Sequence, residues 1–91
     1  MPRPLRKLGG MNLRRARWAR MSVQAFARST STRPEKASIK VILKDLGGLD
    51  SAIADLLCDL RHLCDQNGFN YAKLDERGYD HYVVEKVQDN W

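Results

Sequence analysis

The chain has 91 residues, of which 43% are hydrophobic and 30% are charged, so it is long enough for one small domain. No apolar run approaches the ~18 residues that a transmembrane helix needs, which excludes a membrane-spanning class. Residues 1–34 carry nine of the sixteen basic residues and no acid, whereas residues 35–91 carry the other seven and all eleven acids. The net charge of +5 therefore comes from the N-terminal segment alone.

The N-terminal segment, residues 1–34, is predicted to be a disordered basic tail ahead of a folded domain at residues 35–91. The segment contains all three methionines of the chain, Met1, Met11 and Met21. Before Met21 it is rich in Arg, Pro, Gly and Ala and shows no sustained apolar period. One interpretation is that residues 1–20 are a start-site artefact, translated from non-coding sequence.

Two functional interpretations of the same segment compete with that one. An Arg-rich, acid-free segment that contains Ser and Thr is typical of a mitochondrial presequence, although its cationic and apolar faces are poorly separated here. Alternatively, it is a nucleic-acid-binding arm whose arginines meet phosphates while a tryptophan stacks on bases. That arm would consist of Arg14, Arg15, Arg17, Trp18 and Arg20.

The first predicted helix of the folded domain follows a possible capping box. Thr32-Arg33-Pro34-Glu35 has the residue pattern of such a box, and Gly47-Gly48 would end the helix. Between them, apolar residues recur at helical spacing, namely Ile39, Ile42, Leu43 and Leu46. Residues 38–43 also alternate as a strand does, but the helix is favoured because no second strand is predicted for pairing.

The second predicted helix has the clearest pattern. Asp50 or Ser51 can cap its start, and Asn67-Gly68 supplies a left-handed stop. Its apolar residues cover one arc, about 120° wide, which we expect to be the core of the domain. The arc consists of Ile53, Leu56, Leu57, Leu60, Leu63 and Cys64.

A third helix is predicted over residues 71–87, with Asn70 as its cap. Because the turns between the three helices are short, neighbours should be antiparallel. The predicted fold is all-α, a short three-helix bundle or a helical hairpin plus one helix, with the disordered tail attached. A domain of ~60 residues buries only about 60% of its unfolded surface, so we expect a homodimer or a protein partner. The expected contact residues are Tyr79, Tyr82 and Trp91.

The cysteines and histidines offer little chemistry. Cys58 and Cys64 point away from each other on one helix and cannot bridge within it. Two reduced cysteines suit the cytoplasm, or alternatively the mitochondrial matrix. Cys64 is expected in the core, whereas Cys58, beside His62 and Asp59, offers half of a metal site or an activated thiol. A cysteine on a solvated face is favoured, because a zinc site needs two further good ligands and no Cys-x-x-Cys pair exists. No catalytic residue, cofactor, metal or small-molecule substrate is assigned, and no enzymatic activity is expected.

Residues 59–69, Asp-Leu-Arg-His-Leu-Cys-Asp-Gln-Asn-Gly-Phe, are followed by Leu74-Asp75 and by residues 79–82, Tyr-Asp-His-Tyr. This pattern resembles small uncharacterised proteins of bacterial genomes, plasmids and prophages, over roughly residues 51–85. The resemblance implies a bacterial or phage origin and carries no activity with it. The sequence therefore predicts a small cytoplasmic helical module for protein interaction or regulation, which self-associates. A nucleic-acid-binding protein that uses the arginine-rich arm is the alternative.

Overall fold

In a computed structural model, which describes residues 10–89, the protein consists of four helices. They are α1 (Gly10–Thr30), α2 (Ile39–Asp45), α3 (Leu49–Asn67) and α4 (Tyr71–Asp89). The predicted all-α class is confirmed, and the strand alternative for residues 38–43 is wrong, since no strand occurs between residues 10 and 89. None of the helices in that range combines the length and the apolar character needed to cross a bilayer.

Helix α1 corrects the prediction of a disordered tail. Residues 10–30 are helical, and Val23 and Ala27 are buried. Between residues 11 and 30 the chain has no Gly or Pro and is rich in Arg and Ala, which are good helix formers. The prediction failed because the arginines were treated only as charge, although they also favour helix. Residues 1–9 lie outside the described range.

Helix α2 starts later than predicted. The side chain of Ser38 caps it, with its Oγ accepting a hydrogen bond from the backbone N–H of Val41 at 3.3 Å. The predicted capping box is wrong, because Thr32 and Glu35 lie in the loop before α2. The predicted stop at Gly47-Gly48 is confirmed, since both glycines have positive φ and the N–H of Gly48 donates to the carbonyl of Leu43 at 2.8 Å.

The turn between α3 and α4 follows the prediction closely. Gly68 adopts the left-handed conformation, with φ of 71°, and the N–H of Phe69 donates to the carbonyl of Cys64 at 2.9 Å. The side-chain oxygen of Asn70 accepts the N–H of Lys73 at 3.1 Å and so caps α4. At the other end, α3 begins at Leu49, without the side-chain cap expected from Asp50 or Ser51.

The packing centres on α1 and α3, each of which contacts the other three helices, whereas α2 and α4 do not contact each other. Within the described range, the buried apolar residues are few. They are Val23, Ala27, Ile42, Ala52 and Cys64. The Cα radius of gyration is 15.9 Å, whereas a compact chain of this length would have one of about 12 Å. The structure is therefore open, with a thin core.

The apolar arc of α3 is not the core that the sequence predicts. Cys64 is buried as expected, but Leu57 and Leu63 are 46% and 51% exposed. The fully buried residue of α3 is Ala52, which lies beside the arc rather than at its centre. The prediction failed because an open groove, and not a packed helix, lies against Ile53, Leu56 and Leu57, so large side chains of the arc stay accessible to solvent.

A larger side chain at Ala27 should reveal whether α1 is packed. Ala27 is fully buried, so Ala27→Leu is expected to lower the free energy of unfolding by about 1–3 kcal/mol through overpacking. Ala25→Leu on the exposed side of α1 is the matched control and should be nearly neutral. Urea denaturation followed by circular dichroism measures both. Equal stability of the two variants would contradict the packing of α1.

The ion pair between Arg33 and Asp45 should make stability depend on pH. The guanidinium Nη2 of Arg33 donates to Oδ1 of Asp45 at 3.0 Å, and Nε donates to the other carboxylate oxygen. Hydrogen bonding, supported by charge attraction, holds the pKa of Asp45 below its usual range. Because the pKa is lower in the folded state, the stabilisation is present above the unfolded pKa and is lost as pH falls through the folded pKa.

In the Asp45→Asn variant, Tm should therefore fall less steeply than in the wild type as the pH is lowered. The difference is expected to be small because the side chains of Arg33 and Asp45 are both exposed. Glu35→Gln serves as the control, since Glu35 makes no ion pair with any described residue. Parallel curves for the wild type and Asp45→Asn would show that the pair does not contribute.

Candidate interaction surface

An open groove of about 800 Å³ lies between α1 and α3. Its walls are mostly apolar, with two arginines among them. The lining residues are Leu13, Ala16, Arg17, Ala19, Arg20, Ser22, Val23, Leu49, Ile53, Leu56 and Leu57. An apolar concave surface of this size, with a few charged groups at its edge, is the usual form of a binding site.

The two helices that form the groove bury small residues, while large aliphatic residues on its walls stay exposed. Ala27 of α1 and Ala52 of α3 are both fully buried, and neither lines the groove. Ile53 and Leu57, one turn apart on α3, form part of one wall, and Leu13 of α1 forms part of the other. All three remain more than one third exposed, so the described residues do not fill the groove.

The edge of the groove is positively charged. Arg17 and Arg20 line it, and neither makes a hydrogen bond or an ion pair with any described residue. Helix α1 contains three more arginines and no acid. An apolar surface with unpaired guanidinium groups favours an apolar partner that carries carboxylates.

Helix α4 presents a surface of the opposite kind. Tyr79, Val83 and Val87 are spaced four residues apart, so they lie in one row along the helix, and they are 63%, 41% and 57% exposed. Glu76 and Asp80 lie on the same side of the helix and are exposed. We call these five residues the acidic ridge. No residue between 71 and 88 is buried, so the ridge has no cover within the described part of the chain.

Two of the three predicted partner-contact residues lie on the surface of α4. Tyr79 and Tyr82 are exposed and contact each other, with ring centroids 6.2 Å apart. The ring that meets α3 is that of Tyr71, with the guanidinium of Arg61 at 4.3 Å from its centroid. Trp91 lies outside the described residues.

The predicted nucleic-acid arm lies entirely on α1. One of its members, Arg15, is held by α4, because its Nε lies 3.3 Å from the carboxylate of Glu85 and its Nη1 donates to Oδ1 of Asn12 at 2.7 Å. The side-chain amide of Asn12 in turn donates to the carbonyl of Glu85 at 3.0 Å. The other four are exposed, and two of them, Arg17 and Arg20, line the groove. Those four are Arg14, Arg17, Trp18 and Arg20.

Sequence reasoning did not find the groove, because it treated the segment that forms one wall as disordered. A signal for it exists in the helical spacing of Ala16, Val23 and Ala27, which lie on one side of α1 at intervals of seven and four residues. Cys58 is exposed and Cys64 is buried, as predicted, and both are free thiols.

Comparison of the chain with protein-family models, with curated proteins and with solved structures finds no match in any of the three. Function therefore has to be inferred from the surface itself. Its main features are the apolar groove with unpaired arginines and the acidic ridge on α4.

Proposed function

We propose that the protein is a small helical module that self-associates, with the acidic ridge of one copy docking into the α1–α3 groove of a second copy. One observation supports this above the others. Among the described residues, five apolar residues are buried, whereas fifteen large apolar residues are more than one third exposed. Three of the fifteen, Leu13, Ile53 and Leu57, meet in the groove, and contiguous exposed apolar surface is typical of an interaction site.

The ridge and the groove are complementary in shape and in apolar character. A row of Tyr79, Val83 and Val87 is convex, as residues four apart on a helix are, whereas the groove is concave and lined by aliphatic side chains. Docking would remove both surfaces from water, which is the main driving force for association. Binding of an amphipathic helix in a hydrophobic groove is a recurring mode of recognition.

Charge selects a second copy over a generic apolar partner. The ridge carries Glu76 and Asp80, and the groove edge carries Arg17 and Arg20, which have no partner among residues 10–89. Each chain thus offers both halves of a complementary pair. Opposite charges at the rim favour the correct partner and orientation more than they add affinity.

The proposed assembly is a symmetric dimer. In a dimer with a two-fold axis, the ridge-to-groove contact forms twice, because each copy places its ridge in the groove of the other. Two such contacts would double the buried area and compensate for the thin core of a single copy. As part of this proposal, α3 and α4 run antiparallel as a hairpin across the short turn at residues 68–70, which leaves the ridge facing outward.

An acidic residue within either apolar surface should break the dimer. We expect Val83→Asp on the ridge and Leu57→Asp in the groove each to raise the dimer dissociation constant by about ten-fold or more, because a charge would enter an apolar contact. Sedimentation velocity over a concentration series gives the constants. The matched controls are Val84→Asp, one residue off the ridge, and Leu63→Asp, which does not line the groove.

The controls should dimerise as the wild type does. If Val84→Asp weakened association as much as Val83→Asp, the ridge would not be the contact. A wild-type chain that stays monomeric at all concentrations would overturn self-association altogether.

Charge reversal should test the polar edge of the same contact. The double variant Arg17→Glu, Arg20→Glu is expected to weaken the dimer, since like charges would then face one another. Combining it with Glu76→Arg and Asp80→Arg in the same chain should restore association, and added salt should reduce both effects. Failure of the combined variant to recover, with helical content intact by circular dichroism, would exclude this pairing of charges.

Nucleic-acid binding through α1 is a second candidate function, favoured by the exposure of Arg14, Arg17 and Trp18 on one helix. Exposed arginines next to an accessible ring suit contact with phosphates and stacked bases. Titration of labelled single-stranded DNA should then show affinity that falls steeply with salt, and Trp18→Ala should lower it. Absence of binding at low salt would leave self-association as the function.

A further inference from the structure

Helix α3 brings together three potential metal ligands on its exposed side. The thiol of Cys58, a carboxylate oxygen of Asp59 and a ring nitrogen of His62 all lie within 4.8 Å of one another. Cys58 and His62 are four residues apart and therefore one turn apart on the same face. Because all three side chains are exposed, the cluster is open to an ion from solvent.

We propose that Cys58, Asp59 and His62 form a binding site for a thiophilic divalent cation of the zinc class. A thiolate, an imidazole and a carboxylate are the donor types that Zn²⁺ takes, whereas Ca²⁺ and Mg²⁺ prefer oxygen donors alone. In a tetrahedral zinc site the donor atoms are roughly 3.5 Å apart. The observed separations need only a small side-chain rotation to reach that value, since each side chain is unrestrained by burial.

The donor atoms are available for this role. Within the described range, Cys58, Asp59 and His62 make no side-chain hydrogen bond or ion pair. The nearest arginine on α3, Arg61, is directed to the ring of Tyr71 and so does not neutralise the carboxylate. Asp55, one turn earlier, borders the same small hollow as Cys58 and Asp59 and adds negative charge beside the site.

Three protein ligands define an open site. The fourth position of a tetrahedral ion would be filled by water or by a donor from solution, as in zinc sites that keep an exchangeable position. Binding replaces the proton of the Cys58 thiol by the metal ion, and that proton leaves to solvent. The site lies on the side of α3 opposite Ile53 and Leu57, so it does not depend on the proposed docking of the groove.

Cobalt titration of the reduced full-length chain tests the site. Co²⁺ replaces Zn²⁺ in such sites and reports thiolate ligation through a charge-transfer band in the near ultraviolet. We expect one Co²⁺ for each chain, with this band, and displacement of the cobalt by Zn²⁺. Cys58→Ser should abolish the band, and His62→Ala should weaken affinity about ten-fold or more.

The chain supplies its own controls, since it has one further cysteine and one further histidine. Cys64→Ala and His81→Ala should keep the band and the wild-type affinity within experimental error, provided that circular dichroism shows an intact helical fold. The proposal is overturned if the wild type shows no charge-transfer band, if Cys58→Ser keeps it, or if His62→Ala and His81→Ala behave alike. One cobalt for every two chains would also overturn a site that is complete within a single chain.

Discussion

The packing of α1 on α3 is the contact on which the rest of the structure depends. These two helices each touch all the others, whereas α2 and α4 do not touch one another, so the fold is joined through this pair. The buried residues of these two helices are Val23, Ala27, Ala52 and Cys64, which are small or of medium size. Because stabilisation follows the apolar area removed from water, such a contact holds the chain together while leaving much apolar surface outside.

The parts of the fold that depend on local chemistry could be predicted from sequence. Gly68, Asn70 and the pair Gly47-Gly48 end or begin helices through hydrogen bonds to residues a few positions away, and no distant contact is needed to interpret them. Helix ends that are set by hydrogen bonds between residues close in the chain can therefore be predicted from a single sequence.

The parts that depend on distant contacts could not be predicted. Periodicity shows that Leu57 and Leu63 share an arc with Cys64, but it does not show how far a neighbouring helix covers that arc. The coverage depends on α1, whose role was hidden by its arginines. The sequence likewise gives the spacing of Cys58 and His62, but the approach of the Asp59 carboxylate depends on side-chain rotamers and only the structure shows it.

The position of Met21 in the middle of α1 has a consequence for translation. A product that started there would keep Val23 and Ala27, and with them the α1 part of the core, but would lack Leu13, Arg17 and the tether from Arg15 to Glu85. Under the proposed docking, such a short form would display the ridge but lack most of the α1 wall of the groove. Mixed with the long form, it would occupy grooves without offering a complete one in return, and so act as a competitor of the longer chain.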